Sequence, residues 1–224
     1  MRLKNQLIWL AMIGVVCFSV WYFYQNVIPR AGTVTVTYPD ERPGMAVVEI
    51  SGKIDAPMAR TLRKEYRAMR PGVNTIAISL NSPGGSLREG RDIIEIINRM
   101  NRNHKVFTFV GSRKNCISMC VPVFLAAQQR VAAANSRWMF HAPVRVDAFT
   151  GEEVEGPAFE RSITTNWFLD RYFNDGRVNP AWARNMRKQV VVGKEVWRTG
   201  RELQDEGSHI ITTECNARRA AECA

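Results

Sequence analysis

The chain has 224 residues, of which 46% are hydrophobic and 23% are charged, so its composition is globular rather than disordered. This length suits one compact domain of ordinary size plus an appendage. The formal net charge is +10, but the basic residues are scattered along the sequence and no nucleic-acid-binding motif accompanies them. We therefore expect no nucleic-acid partner.

The N-terminal segment is the appendage. Residues 7–24 carry no charge and are just numerous enough to cross a hydrocarbon core of roughly 30 Å as a helix. A cleaved secretory signal is the alternative, but the run is long for one and no small-residue cleavage site follows it. Arg2 and Lys4 precede the run, which favours a cytoplasmic N-terminus.

These observations predict a single-pass membrane protein. We expect residues 1–6 in the cytoplasm, a transmembrane anchor at 7–24, a linker with one possible strand at 25–44, and an extracytoplasmic domain at 45–224. In a Gram-negative bacterium that domain would be periplasmic. Four cysteines would then face an oxidising compartment, and the sequence does not choose among their three possible pairings; they are Cys116, Cys120, Cys215 and Cys223.

Strand and helix patterns alternate along the rest of the chain. Short β-branched runs predict strands at 33–38, 45–50, 74–80, 105–110, 137–141 and 209–213. Amphipathic or capped segments predict helices at 55–69, 86–100, 119–129, 159–175, 179–190 and 199–207. Asp55 is the candidate N-cap of the first of these helices, with Pro57 in its first turn. Such alternation predicts an α/β fold with a mostly parallel sheet covered on both faces.

The stretch "LNSPGGS" at 80–86 joins a predicted strand to a predicted helix through two glycines, Gly84 and Gly85. Glycines at such a junction leave backbone N–H groups free to point at an anion. A tight turn with no ligand is the alternative interpretation.

The stretch "NCISMCVPVF" at 115–124 contains one serine between two cysteines. Pro122 lacks an N–H group and fits only the first turn of a helix, which puts the helix start near Ser118 or Met119. Ser118 is then either an N-cap or a nucleophile, with the Met119 N–H placed to help bind an oxyanion. A thiolate nucleophile at Cys116 or Cys120 is the less favoured alternative.

A serine nucleophile needs a base, and three histidines are available. His141 ends the predicted strand in "RWMFHAP" and is followed by an apolar segment, which suits a general base. His104 lies at a polar helix exit, where a capping cation is expected. His209 begins the last predicted strand, where a surface histidine or a hydrogen-bonded core histidine is expected rather than a catalyst.

Taken in this order, "NSPGG", "ISM" and "FHAP" resemble the motifs of the Clp protease proteolytic subunit and its relatives in the ClpP/crotonase superfamily. The separations of 34 residues from Gly84 to Ser118 and of 23 from Ser118 to His141 are also similar to the family's. The resemblance covers residues 45–213. It implies a spiral of β-β-α units with a mostly parallel sheet.

The resemblance also implies an activity, that of a serine endopeptidase acting through an acyl-enzyme. Ser118 would be the nucleophile, His141 the general base and then acid, and the Gly84 and Met119 N–H groups the oxyanion hole. Glu195, in "KEVWRTGREL", occupies the position of the family's third residue. Asp205, Asp170 or no acid at all are its rivals.

The resemblance implies a peptide or protein substrate and no metal or organic cofactor. It also implies a homo-oligomer, because two helices between His141 and Glu195 match a segment used for subunit contacts in the family. The intervening loop at 146–157 is either a lid or a solvated loop.

Other functions remain open at this point. Membrane-tethered relatives such as signal peptide peptidase A pair a serine with a lysine base, although "FHAP" favours histidine here. Crotonase-type acyl-CoA chemistry needs no serine–histidine pair and is disfavoured. A catalytically silent scaffold or binding module at the membrane is the alternative, since Ile117 replaces a small residue and Glu195 replaces an aspartate.

Overall fold

The computed structural model describes residues 32–146, 153–154, 158–173, 176–191 and 193–223. The predicted anchor at 7–24 lies outside these residues. Within the part of the chain that is described, no helix has both the length and the hydropathy of a membrane span. The compact unit that carries the described residues starts at Gly32.

The elements follow one another in a mixed α/β order. The strands are β1 (Thr33–Thr37), β2 (Met45–Ser51), β3 (Thr75–Asn81), β4 (Lys105–Val110), β5 (Asn115–Ile117), β6 (Gln129–Ala132), β7 (Arg137–Phe140), β8 (Arg145–Val146), β9 (Glu153–Val154), β10 (Val196–Thr199) and β11 (Thr213–Glu214). The helices are α1 (Met58–Arg67), α2 (Leu87–Asn103), α3 (Cys120–Leu125), α4 (Ala158–Phe173), α5 (Pro180–Gln189) and α6 (Gly200–Asp205), followed by a 3-10 turn at Ala220–Cys223.

A six-stranded sheet forms the centre, in the order β1-β2-β3-β4-β6-β11. Strand β1 pairs antiparallel with β2, and every other pair in this sheet is parallel. The expectation of a mixed α/β fold with a mostly parallel sheet is therefore confirmed. The strand predicted within the linker is β1, the edge of this sheet.

The two faces of the sheet are covered differently. The main core lies between one face and helices α1, α2 and α3, where Val48, Ile78 and Phe124 are fully buried. The other face carries a smaller cluster around Phe107 and Phe109, against which the C-terminal 3-10 turn packs through Ala220. We expected both faces of the sheet to be covered in the same way. Instead, helices cover one face and an irregular C-terminal segment covers the other.

Three local predictions were wrong. The helix predicted at 119–129 ends at Leu125 because the chain turns into β6, which joins the central sheet. The last strand is Thr213–Glu214 rather than 209–213, since His209 adopts a positive φ of 60° that interrupts extended backbone. Asp55 does not cap α1; the carboxylate of Glu89 accepts a hydrogen bond from the Ala59 N–H at 2.9 Å instead.

The basic residues are also less scattered than the sequence suggested. Helix α1 exposes four of them at helical spacing along one face, with no acidic residue in its first turn. They are Arg60, Arg63, Lys64 and Arg67, and they line a shallow cavity of about 380 Å³.

Candidate active site

The predicted catalytic residues lie at one edge of a second, three-stranded sheet with the order β10-β7-β5. Strand β5 leads directly into Ser118, and β7 leads directly into His141. These two strands are parallel, so their carboxyl ends meet at the same edge. Strand β10 is antiparallel to β7, which brings its first residues, next to Glu195, to that edge as well.

Ser118 forms a sharp elbow between β5 and α3. Its φ of 54° lies in the left-handed region, which a non-glycine residue rarely adopts. The elbow is held by backbone hydrogen bonds on both sides, from the Ser118 N–H to Met139 O at 2.9 Å and from the Val121 N–H to Ser118 O at 3.0 Å. Ser118 is thus not a conventional N-cap, and its half-buried side chain projects from a strained turn, the arrangement typical of a nucleophile.

Gly84 lies directly against this elbow. A Cβ atom at Gly84 would stand 2.6 Å from Ile117 O, 2.7 Å from Ser118 Cβ and 3.0 Å from the Met119 N. Its φ of 85° is also in the left-handed region. Only glycine fits here, because any side chain would both clash with the elbow and strain the backbone.

The two predicted oxyanion donors, the N–H groups of Met119 and Gly84, differ in whether they already have an acceptor. The Met119 N–H has no acceptor among the described residues, although the residue is fully buried. The Gly84 N–H donates to Ser82 Oγ at 3.0 Å. Sequence reasoning missed Ser82, although its place two residues before a glycine is typical of a serine turn.

His141 follows a well-packed strand end. Phe140, one residue earlier, is buried and contacts the rings of Phe173 and Trp182 from α4 and α5 edge-on. The His141 side chain is half-buried, and no described residue forms a hydrogen bond with it. The backbone thus positions the imidazole, and neither ring nitrogen is bonded to a described residue.

Glu195 immediately precedes β10, and His141 immediately follows β7. The β10–β7 ladder pairs Val196 with Phe140, so both residues lie just beyond the same end of that ladder. The Glu195 side chain is exposed, and its carboxylate accepts a hydrogen bond from Trp197 Nε1 at 2.9 Å. The strand register therefore brings Glu195 to the end of the sheet where His141 lies, and no hydrogen bond joins the two side chains.

The rival acids have other surroundings. Asp170, on α4, pairs with Arg187 of α5. Asp205 is exposed at the end of α6. Among the described residues, no group of three or more histidine, cysteine, aspartate or glutamate side chains is arranged to hold a metal ion.

The four cysteines form two disulfides, Cys116–Cys120 and Cys215–Cys223. The sequence left the three possible pairings open, and the structure pairs each cysteine with its nearer neighbour in the chain. Cys116 and Cys120 are fully buried and already bonded to each other, so neither supplies the thiolate considered as an alternative nucleophile. Their separation of four residues is the sequence signal for this pairing, since it brings their Cα atoms to 5.1 Å across one turn.

The fold is similar to those of several solved protein structures. Solved structures with a similar fold include a mutant of ClpP1 from Listeria monocytogenes, 19% identical with a TM-score of 0.56, covering 77% of this chain and 92% of that one. A mutant of the 1510-N membrane-bound stomatin-specific protease is 18% identical with a TM-score of 0.57, covering 78% of this chain and 80% of that one.

A second mutant of that protease, in complex with a substrate peptide, is 17% identical with a TM-score of 0.57, covering 77% and 75% of the two chains. A search of curated protein sequences finds no match to this chain. At these identities the structural likenesses show the fold alone. The family model described as Clp protease matches residues 45–162, more than half of the sequence, and the chain therefore belongs to the Clp protease family.

Proposed function

We propose that this chain is a membrane-anchored serine peptidase that hydrolyses peptide bonds through Ser118 and His141. The observation that carries the proposal is the left-handed elbow at Ser118, with Gly84 against it and the strand of His141 beside it. A strained serine between a glycine-rich loop and a histidine-bearing strand is the arrangement that acyl transfer needs.

The chemistry follows from these positions. Ser118 Oγ attacks the carbonyl carbon of the scissile peptide bond, and its proton passes to a ring nitrogen of His141. The Met119 and Gly84 N–H groups stabilise the oxyanion of the tetrahedral intermediate. His141 then protonates the leaving amine, and a water molecule activated by the same imidazole hydrolyses the acyl-enzyme.

The hydrogen bond from Gly84 to Ser82 affects this step. The oxyanion must replace Ser82 Oγ as the acceptor of the Gly84 N–H or share that donor with it. A charged oxygen is the stronger acceptor, so we expect the intermediate to win this competition.

Glu195 is the proposed partner of the imidazolium. The strand register supports this role, and the bond from Trp197 must break before the carboxylate can turn toward His141. Because the carboxylate is exposed, it would act mainly by orienting the imidazole.

The proposed location is the membrane, with the catalytic domain outside the cytoplasm. The uncharged run at 7–24 and the basic residues before it support this arrangement. The likeness to a protease described as membrane-bound and the two disulfides, which persist in oxidising compartments, also support it. By likeness to the family we further propose a homo-oligomer with peptide or protein substrates.

A catalytically silent scaffold of the same fold is the second candidate. It is favoured by one observation, that the Glu195 carboxylate bonds to Trp197 rather than to His141.

A peptide-library digest with the purified full chain in detergent separates the two candidates. A peptidase cleaves peptides, and Ser118→Ala and His141→Ala each lower cleavage by at least about a thousandfold. A matched control is Ser112→Ala, which changes a half-buried serine outside the site. Absence of cleavage by the wild-type chain across pH 5 to 9, while light scattering shows folded oligomers, would establish the scaffold instead.

A further inference from the structure

Ser118 lies inside a five-residue ring that the Cys116–Cys120 disulfide closes. Cys116 is the middle residue of β5 and Cys120 is the first residue of α3, so the bond spans the elbow from one element to the next. Both cysteines are fully buried. The second disulfide, Cys215–Cys223, closes a loop in the C-terminal segment, on the opposite face of the central sheet.

The backbone of Cys116 is held from two sides by the segments that complete the site. On one side it bridges Ser82 of the glycine loop, with hydrogen bonds from the Ser82 N–H to Asn115 O at 2.9 Å and from the Ile117 N–H to Ser82 O at 3.1 Å. On the other side it pairs with Trp138 of β7, the strand that leads to His141. The Cys116 backbone is therefore held between the glycine loop and the strand that leads to His141.

The far end of the ring is held by a short helix rather than by β-pairing. Cys120 follows Met119, whose N–H has no acceptor among the described residues, and α3 is only six residues long. A serine in the left-handed region is strained and persists only where its surroundings enforce it. The disulfide supplies a covalent constraint at the one side of Ser118 that β-pairing does not reach.

We propose that the Cys116–Cys120 disulfide is a positioning element that keeps Ser118 and the Met119 N–H in register with Gly84 and His141. This inference rests on the proposed peptidase function. We expect the disulfide to affect the chemical step, because Ser118 and the Met119 N–H, which it constrains, would meet the reacting carbonyl. Both cysteines are fully buried, so the bond itself is not exposed to a bound peptide, and we expect its loss to lower kcat rather than to raise KM.

The primary test compares two paired variants of the full chain in detergent. In Cys116→Ala with Cys120→Ala we expect kcat to fall at least tenfold, with KM within twofold of wild type. The rate of labelling of Ser118 by a fluorophosphonate, counted per folded molecule, should fall in parallel. The matched control, Cys215→Ala with Cys223→Ala, also removes one disulfide and should keep both rates within twofold.

A second measurement covers the case in which the first variant fails to fold. Dithiothreitol supplies two electrons and two protons, which convert the disulfide into two thiols while the reagent closes to its cyclic disulfide. Wild type and the Cys215/Cys223 variant should lose activity once alkylation and mass spectrometry show free thiols at Cys116 and Cys120. Activity should return on reoxidation, and a folded Cys116/Cys120 variant should not respond.

The outcomes distinguish this inference from the proposed function. An active wild type whose kcat is unchanged by the Cys116/Cys120 substitutions, or by proven reduction of that bond, overturns the positioning role and leaves the peptidase intact. An equal loss in the Cys215/Cys223 variant also overturns it, because the effect is then general destabilisation. A wild type with no activity overturns both.

Discussion

The two halves of the candidate site are built in different ways. The half that holds the nucleophile consists of buried backbone: Ser118 is bonded on both sides, Gly84 fills the space against it, and a disulfide closes the ring around it. The half that holds the base rests on a strand register, and its side chains are half-buried or exposed. His141 has no hydrogen-bond partner among the described residues, and Glu195 bonds to Trp197.

We therefore expect the two halves of the site to tolerate amino-acid substitutions differently. Close-packed backbone has no room to adjust, so substitutions beside Ser118 should be costly. Exposed polar contacts adjust at little cost, so substitutions around Glu195 should act weakly unless the carboxylate takes part in catalysis.

Apart from substitution of Ser118 or His141 themselves, the largest effect is expected from Gly84→Ala. The added methyl group would meet the elbow at 2.6 to 3.0 Å and strain a φ of 85°, so kcat should fall more than about a hundredfold. The free energy of unfolding should fall by about 1 to 3 kcal/mol. Peptide hydrolysis and urea denaturation measure the two effects.

Gly72→Ala is the matched control for that prediction. Gly72 has nearly the same φ, 86°, but its Cβ would meet nothing within 4 Å. It should cost about 1 kcal/mol of stability and leave activity unchanged. If both variants lose activity equally, close packing around Ser118 is not the reason.

An intermediate effect is expected at Glu195. If its carboxylate orients His141, Glu195→Gln should lower kcat about 10- to 100-fold, and Trp197→Phe should keep or raise kcat by removing the competing donor. Asp205→Asn and Asp170→Asn are the controls and should leave kcat unchanged. A loss confined to one of these controls would transfer the role to that aspartate.

The smallest effect concerns the attachment of β10 to α6. The Thr199 backbone N–H and side chain donate to Glu202, and these bonds hold the pKa of the Glu202 carboxyl below its ordinary value of 4.5. A carboxyl whose pKa is lowered by folding stabilises the protein above its ordinary pKa and loses that contribution as pH falls through the folded value. The exposed site limits the contribution to about 1 kcal/mol or less.

Glu202→Gln should therefore lower the Tm slightly at pH 7, and the difference from wild type should shrink below pH 4.5. Glu95→Gln, at an exposed glutamate of α2 without a hydrogen-bond partner among the described residues, is the control for the loss of one surface carboxylate and should not lower the Tm at pH 7. A difference that grows toward low pH would contradict the assigned sign.

The sequence predicted the nucleophile half of the site better than the base half. Glycines and a proline restrict the backbone locally, so "NSPGG" indicated a tight turn at Gly84 and Pro122 indicated a helix start near Ser118. The choice of Ser118 as nucleophile rather than N-cap came from the resemblance. The base half depends on how β10 pairs with β7 and on the bond from Trp197 to Glu195, neither of which a local pattern indicates.

The same reasoning explains which elements were predicted. Strands with long β-branched runs, such as β3 and β4, were located almost to the residue because burial on both faces dictates their composition. Strands β5, β6 and β10 have only three or four residues and were missed, since tertiary pairing rather than local pattern decides them. Two of these, β5 and β10, frame the candidate site.

A fluorophosphonate probe on the purified full chain would show directly whether Ser118 is an activated nucleophile. Mass spectrometry of the labelled protein should find the adduct on Ser118, and Ser118→Ala should abolish labelling while the protein remains folded. Labelling of another residue, or labelling that persists in Ser118→Ala, would contradict the account.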